Sequence, residues 1–358
     1  MRWASKYAIH KNGVTTFIKS LEEITPDLWT FLHQYIQSDI GVMIKFKGME
    51  NIERIDPPFV ITLMSARSLF RNCYRLKYVN FAMFDFSKCN DMSRCFENCY
   101  SMDFSNLHLI CSSNIISMTR TFKGCRFKYF EDPLFDTSNV AYFNECFYEC
   151  VDAVVINVSS FNLKSCVNDA CMFGHCVQLV RIIVNTKIFR HEISYCNSNY
   201  MMAVCLSLKY FGDENSNFVD MSNFNAPLNS PYMFQESSSM RKLIIKSDCN
   251  LISLYEFVFK CRNLTYLEMN VRSIATHLTL WIVSSLKIQN VILKCDDCLP
   301  RVIAEYYVLD NRYTNIDVKN VRGNTEEISY IGSEYIVHVT NPLLECKFIN
   351  KTLKSLII

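Results

Sequence analysis

Apolar positions recur along most of this chain in a short, fixed pattern that is neither a continuous helical stripe nor a long extended alternation. A buried-type cysteine is followed at three, six and eight residues by apolar side chains: Leu76, Val79 and Phe81 after Cys73; Ala153, Ile156 and Val158 after Cys150; Leu179, Ile182 and Val184 after Cys176; Leu264, Leu267 and Met269 after Cys261. At Met240, Leu243 and Ile245 the cysteine place is held by Ser237. The last two apolar residues of each set stand two apart, which puts them on one face of a short strand. The same spacing continues without cysteine at Ile288, Val291, Leu293 and at Tyr313, Ile316, Val318, and the closing residues Leu353, Leu356 and Ile358 match a last strand or a cap.

Ahead of each strand lies a second recurring feature. Phenylalanine falls at 96, 122, 147 and 173, each time three residues before a cysteine, and is preceded by an Asp- or Asn-rich turn of which Asp136-Thr137-Ser138-Asn139-Val140 is the clearest copy. Self-similarity at a period in the mid-twenties marks a solenoid, because each unit is too small to bury its own apolar face and must stack on its neighbours. Some units are ragged: Cys99 is followed in register only by Met102 and Leu107, the register slips after Cys125, and the interval around Cys205 stretches, which predicts a bulging loop there. The segments around Met92–Phe96 and Ala170–Phe173 follow Asn or Asp, and their spacing predicts one or two helical turns on the outer face. The predicted class is an α/β repeat solenoid, a leucine-rich-repeat-like curved stack of short parallel strands with short outer helical turns.

The Asp136–Phe143 run, the Phe147-x-x-Cys150 that follows it and the apolar strand beyond resemble the BspA-like leucine-rich repeat, with good motifs over roughly residues 66 to 270. Members of that family occur on bacterial surfaces, in parasitic protists and in large DNA viruses. The resemblance implies a curved solenoid acting in adhesion or protein binding, without catalysis. It transfers no defined site, since such a family shares a scaffold and not a chemistry.

Outside the repeat, Thr25-Pro26-Asp27 predicts a helix start, with Thr25 as N-cap and Leu28, Phe31, Leu32 and Ile36 on one apolar face. The expected organisation is an N-terminal helical cap over 1–50, repeats over 51–320 and a C-terminal repeat or cap over 321–358. A helical cap covers the first coil, whose open edge would otherwise template aggregation.

Composition adds limits. Half of the 358 residues are hydrophobic, which argues against disorder, and the net charge of +2 gives no basic stripe for nucleic acid. Only 8 glycines serve a turn-rich chain, so Asn, Asp and Ser are expected to make the turns. The first residues carry no apolar run of signal-peptide length, and no segment reaches the length of a membrane span. The expectation is an intracellular protein, in host cytoplasm or virion if viral, whose 18 cysteines stay reduced.

Candidate chemistry is sparse. Cys295-Asp296-Asp297-Cys298 is a C-x-x-C whose nearest further ligands, His277 and Cys261, have the spacing of no zinc finger. Cys95 with Cys99, Cys146 with Cys150 and Cys171 with Cys176 look like pairs, yet one member of each is the repeat cysteine, which predicts a ladder of internal thiols. His175, beside Cys176, occupies a turn position filled elsewhere by Asn98, Gly124 and Glu149, against a nucleophile pair. Neither an enzyme nor a bound metal or cofactor is expected. Residues between the apolar strand positions point away from the core and should pave the concave sheet: Lys77, Tyr78, Asn80, Arg181, Arg241, Lys242, Thr265, Tyr266, Glu268, Gln289 and Asn290. Their mixture suits a protein partner, with a viral protein acting on host components or sitting in a particle as one setting. A surface adhesin for matrix or glycans is the competing class.

Overall fold

The computed structural model describes the backbone of residues 8–11, 14–17, 20–36, 43–110, 113–192, 196–222, 230–251 and 257–274, with further strands at 290–295, 315–320, 328–331, 336–339, 345–349 and 355–357; side chains are described within 16–17, 20–33, 44–110, 113–192, 196–222, 230–245 and 257–268. The described chain is a parallel β-solenoid between residues 54 and 320, with antiparallel pairing at 8–17, between 315–319 and 345–349, and at 328–339. Its strands are β1 (Ala8–Lys11), β2 (Val14–Phe17), β3 (Met43–Lys45), β4 (Arg54–Ile55), β5 (Ile61–Thr62), β6 (Tyr78–Val79), β7 (Phe84–Asp85), β8 (Tyr129–Phe130), β9 (Val155–Asn157), β10 (Arg181–Ile183), β11 (Tyr210–Gly212), β12 (Val219–Met221), β13 (Lys242–Leu251), β14 (Tyr266–Ile274), β15 (Asn290–Cys295), β16 (Asn315–Asn320), β17 (Ile328–Ile331), β18 (Ile336–Val339), β19 (Glu345–Ile349) and β20 (Ser355–Ile357).

The strand pattern read from the sequence appears as register. Ile156 faces Ile182, which faces Phe211; Leu243, Leu267, Val291 and Ile316 form one continuous row, and Ile245, Met269, Leu293 and Val318 the next. Strands β8 to β16 lie in chain order in one parallel sheet, and β19 closes its far edge antiparallel to β16. Leu356 lies in a strand of a separate sheet, paired with Val337 of β18, while Leu353 and Ile358 lie outside the described residues.

The predicted outer helical turns are not helical. Among the described residues helix is confined to α1 (Pro26–Ile36) and the single 3-10 turns Phe81–Met83 and Leu107–Leu109. From Met92 to Asn98 every second N–H donates to the next coil: Met92 to Ser117, Arg94 to Thr119, Phe96 to Thr121 and Asn98 to Lys123. The N–H groups of Cys95 and Cys99 close tight turns onto Met92 and Phe96, three residues back. An α-helix needs its N–H groups for its own i−4 carbonyls, so donors spent between coils cannot also make one. Each coil therefore turns twice through left-handed residues four apart, such as Arg94 (φ 60) and Asn98 (φ 62), then Glu145 (φ 55) and Glu149 (φ 61). The Asn or Asp ahead of each segment makes an Asx turn instead of a helix cap: Asp91 Oδ1 accepts the Ser93 N–H at 2.7 Å, and Asn168 Oδ1 that of Ala170 at 3.0 Å. Asp85, Asp136 and Asn162 do the same at the neighbouring corner, so side-chain carbonyls do the work that glycine would otherwise do.

Two columns hold the coils together. Phe46, Phe70, Phe96, Phe122, Phe147 and Phe173 stack in near-parallel register, with ring centroids 5.1 to 5.6 Å apart. Beside them the repeat cysteines form a thiol ladder. Cys73, Cys99, Cys125, Cys150, Cys176 and Cys205 each donate to the carbonyl of the column residue one coil earlier, at 3.0 to 3.2 Å. Ser237 keeps the bond, its hydroxyl donating to Met202 at 2.8 Å, which explains why serine replaces cysteine there.

At the N-terminal end, Thr25 caps α1: its Oγ1 accepts the Leu28 N–H at 3.4 Å, and Leu28 and Leu32 are buried as expected. The helix is joined by a hairpin of β1 and β2, from which Phe17 stacks on Phe46 at 4.8 Å and extends the aromatic column into the cap. No helix of the described residues is long and apolar enough to cross a membrane.

Candidate functional site

Parallel register brings outward side chains of successive strands into rows. Tyr129, Val155, Arg181 and Tyr210 are lateral neighbours, as are Lys242, Tyr266, Asn290 and Asn315. Because Phe211 pairs with Val219 and Val219 with Leu243, Phe218 falls between the two groups. Across this part of the face cations lie over aromatic rings. The Arg181 guanidinium sits 4.4 Å from the Tyr210 ring and donates to the carbonyls of Glu214 and Ser216, both at 3.0 Å. Lys242 Nζ lies 4.4 Å from the Phe218 ring and 4.8 Å from that of Tyr266, whose hydroxyl donates to Glu268 at 3.0 Å. Burial, helped by that carboxylate, raises the Tyr266 phenol above its ordinary value. These contacts fix long side chains that would otherwise cost rotamer entropy on binding.

The remaining candidates occupy other places. Lys77, Tyr78 and Asn80 belong to the first coils, where β4 pairs with β6 and not with the large sheet. There Lys77 and Arg75 bond Glu53 at 2.8 and 2.7 Å, Arg54 covers Tyr78 at 4.1 Å, and Asn80 donates to Asp56 at 2.9 Å. The lysine, then Arg75, holds the Glu53 carboxyl below its usual value. Arg241 is exposed, and its carbonyl accepts from the N–H and hydroxyl of Thr265 at 2.9 and 3.1 Å. Asn290 is placed by its backbone in β15, and Gln289 lies outside the described residues.

Among the thiols, Cys176 turns inward to the Phe147 carbonyl while His175 is exposed, its ring 5.1 Å from that of Tyr148. Cys261 likewise donates to Phe234 at 3.0 Å. His277 and 296–298 of the C-x-x-C lie outside the described residues.

Sequence reasoning missed one buried group. The column that holds Met92, Met118 and Phe143 in successive coils passes to Asp169 and then Ser198, all fully buried. A carboxylate in this position requires charged or hydrogen-bonding partners. His191 Nε2 lies 2.9 Å from Asp169 Oδ2; Ser198 donates to Oδ1; Cys196 Sγ is 3.6 Å from Oδ1 and 3.6 Å from Cys166 Sγ. Burial alone would lower the His191 pKa, but the Asp169 charge and hydrogen bond push it up to about 10. Cys166, through burial, and Cys196, chiefly through its contact with Cys166 and then burial, are pushed up as thiols. The signal was present in the stretched interval: 29 residues separate Asp169 from Ser198, against 24 to 26 for comparable contacts between earlier coils, and the longer coil delivers His191 into the core.

No curated protein matches the sequence. Residues 64–186, about a third of the chain, are similar to the family described as Mycoplasma protein of unknown function, DUF285.

Proposed function

We propose that the chain is a non-catalytic protein-interaction scaffold that binds its partner on the outward face of the parallel sheet. The observation that carries this reading is the row from Arg181 to Tyr266, where Arg181 lies over the Tyr210 ring and Lys242 over the rings of Phe218 and Tyr266 on neighbouring coils. Aromatic and arginine side chains that are already ordered contribute binding area at low entropic cost, and they dominate protein interfaces. The neighbouring row offers Asp220 and Glu268, opposite in charge to Arg181 and Lys242, so the face suits a mixed-charge protein surface over a phosphate backbone.

The test is capture from lysate by the intact chain beside a variant with Arg181→Ala, Tyr210→Ala, Lys242→Ala and Tyr266→Ala, both shown to fold by circular dichroism. A control carries Tyr142→Ala and Leu134→Ala, exposed residues outside that row. Loss of one captured protein with the face variant alone supports the reading. Retention by the face variant, or loss with the control instead, removes the sheet face from the function.

A further inference from the structure

The buried group formed by Cys166, Asp169, His191 and Cys196 has a donor set that the repeat itself does not require. The ladder thiols each point at a backbone carbonyl one coil away, whereas the Cys166 and Cys196 sulfurs approach each other and the Asp169 carboxylate. All four side chains are buried, and their ligand atoms lie within 4.8 Å of one another. Zinc bonds of about 2.3 Å to sulfur and 2.0 Å to nitrogen or oxygen require ligand separations of about 3.8 Å between sulfurs and 3.3 Å between nitrogen and oxygen in a tetrahedron. The observed 3.6 Å between the sulfurs and 2.9 Å between His191 Nε2 and Asp169 Oδ2 match within a few tenths of an ångström. In sequence the ligands form Cys-x2-Asp, a connecting coil, then His-x4-Cys; the spacing within each pair falls in the range of structural zinc sites, with Asp169 standing where those sites carry cysteine or histidine.

We propose that Cys166, Asp169, His191 and Cys196 form a structural site for a tetrahedral divalent cation of zinc's type, which clamps two successive coils where the longer coil enters the stack. Asp169 and Cys166 come from one coil, while His191 and Cys196 come from the next stretch of chain. Closing that long coil costs entropy, and a cation bridging both sides offsets it. Ser198 holds Asp169 Oδ1 and leaves Oδ2 toward the imidazole, the role of an outer-shell donor that orients a ligand. Binding changes no oxidation state. Each thiol loses its proton on binding and the imidazole binds in its neutral form, so the dication with two thiolates, one carboxylate and a neutral imidazole leaves one net negative charge.

The test uses the full chain, expressed in zinc-replete medium and purified with reductant and without chelator, its metal content measured by mass spectrometry. A second preparation is grown with cobalt and examined by absorption spectroscopy. Expected are close to one equivalent of zinc per chain and, in the cobalt form, thiolate-to-cobalt charge transfer with strong tetrahedral ligand-field bands. Cys196→Ser should lose the metal, while Cys205→Ser, a ladder position where Ser237 shows that serine serves, should keep it. If Cys196→Ser does not fold, the cobalt spectrum of the unaltered chain decides. A folded chain without bound zinc and without charge transfer, a Cys166–Cys196 disulfide in the reduced preparation, or metal content unaffected by Cys196→Ser would each overturn the site.

Discussion

If the stacked phenylalanines carry the solenoid, removing one ring from the middle of the column should cost far more than removing any exposed ring. Phe122 is fully buried, lies 5.6 Å from Phe96 and 5.1 Å from Phe147, and meets Phe104 and Phe130 edge-on at 5.5 and 5.0 Å. Phe122→Ala loses the transfer energy of the ring and leaves a cavity that neighbours on both sides, fixed by the ladder hydrogen bonds, cannot close. The expected cost is about 4 kcal/mol, within the usual 3–5 kcal/mol for a buried phenylalanine. Phe122→Met should cost less than about 1.5 kcal/mol, because methionine fills irregular space and Met202 already stands in this column two coils beyond Phe147. Urea unfolding followed by circular dichroism gives both values, and a fluorescence probe at each end tests whether the array still unfolds as one unit. A cost for Phe122→Ala of about 1 kcal/mol or less, or equal costs for alanine and methionine, would refute the column as the main source of cohesion.

Other outcomes follow from the same geometry. Val204 holds a β-branched side chain at φ 60, so Val204→Asn should raise stability by about 1 kcal/mol, read as a shift in urea midpoint; a loss would show that its packing outweighs the backbone strain. Glu145 bonds Arg120 and Lys123 at 2.6 and 2.8 Å, and although burial alone would raise its carboxyl, these bonds hold it below 4.5. Its contribution is therefore full above pH 4.5 and is lost as pH falls through the depressed folded value; the stability difference between the unaltered chain and Glu145→Gln should shrink over that range, and a difference constant with pH would contradict the assignment. Among the described thiols Cys171 alone is half-buried, its pKa raised by burial to about 11, so in the native chain alkylation mapped by mass spectrometry should reach it before ladder thiols such as Cys150. A double-mutant cycle of Arg181→Ala and Tyr210→Ala should return about 0.5–1 kcal/mol of coupling, and none if the contact at 4.4 Å contributes nothing.

The thiol ladder gives seven of the 18 cysteines a packing and hydrogen-bonding role. Each sulfur fills a small apolar space at the corner and satisfies a carbonyl one coil back, two tasks that serine or alanine would each do only in part at most coils. Where a coil carries Ser237, the hydrogen bond survives and the apolar volume falls. The N-terminal end shows the same economy, since Phe17 adds one more ring to the column and covers what would be its exposed end.

The repeat, its strands and its inward faces were legible in the amino-acid order because burial in a stacked coil imposes a local rule: Leu179, Ile182 and Val184 must face inward whatever their neighbours are. The N-terminal helix was legible for the same reason, its cap and apolar face being set within a few residues of Thr25. The turn segments were not, because Met92 to Asn98 has a composition fit for a helix turn, and what decides against it is the next coil, whose carbonyls take every second N–H. Nor could the sequence show that Cys166, Asp169, His191 and Cys196 converge. Period and spacing report which face a residue occupies, but the meeting of side chains from two coils depends on how a long loop folds back into the core, and only the tertiary structure places them within one ligand's reach.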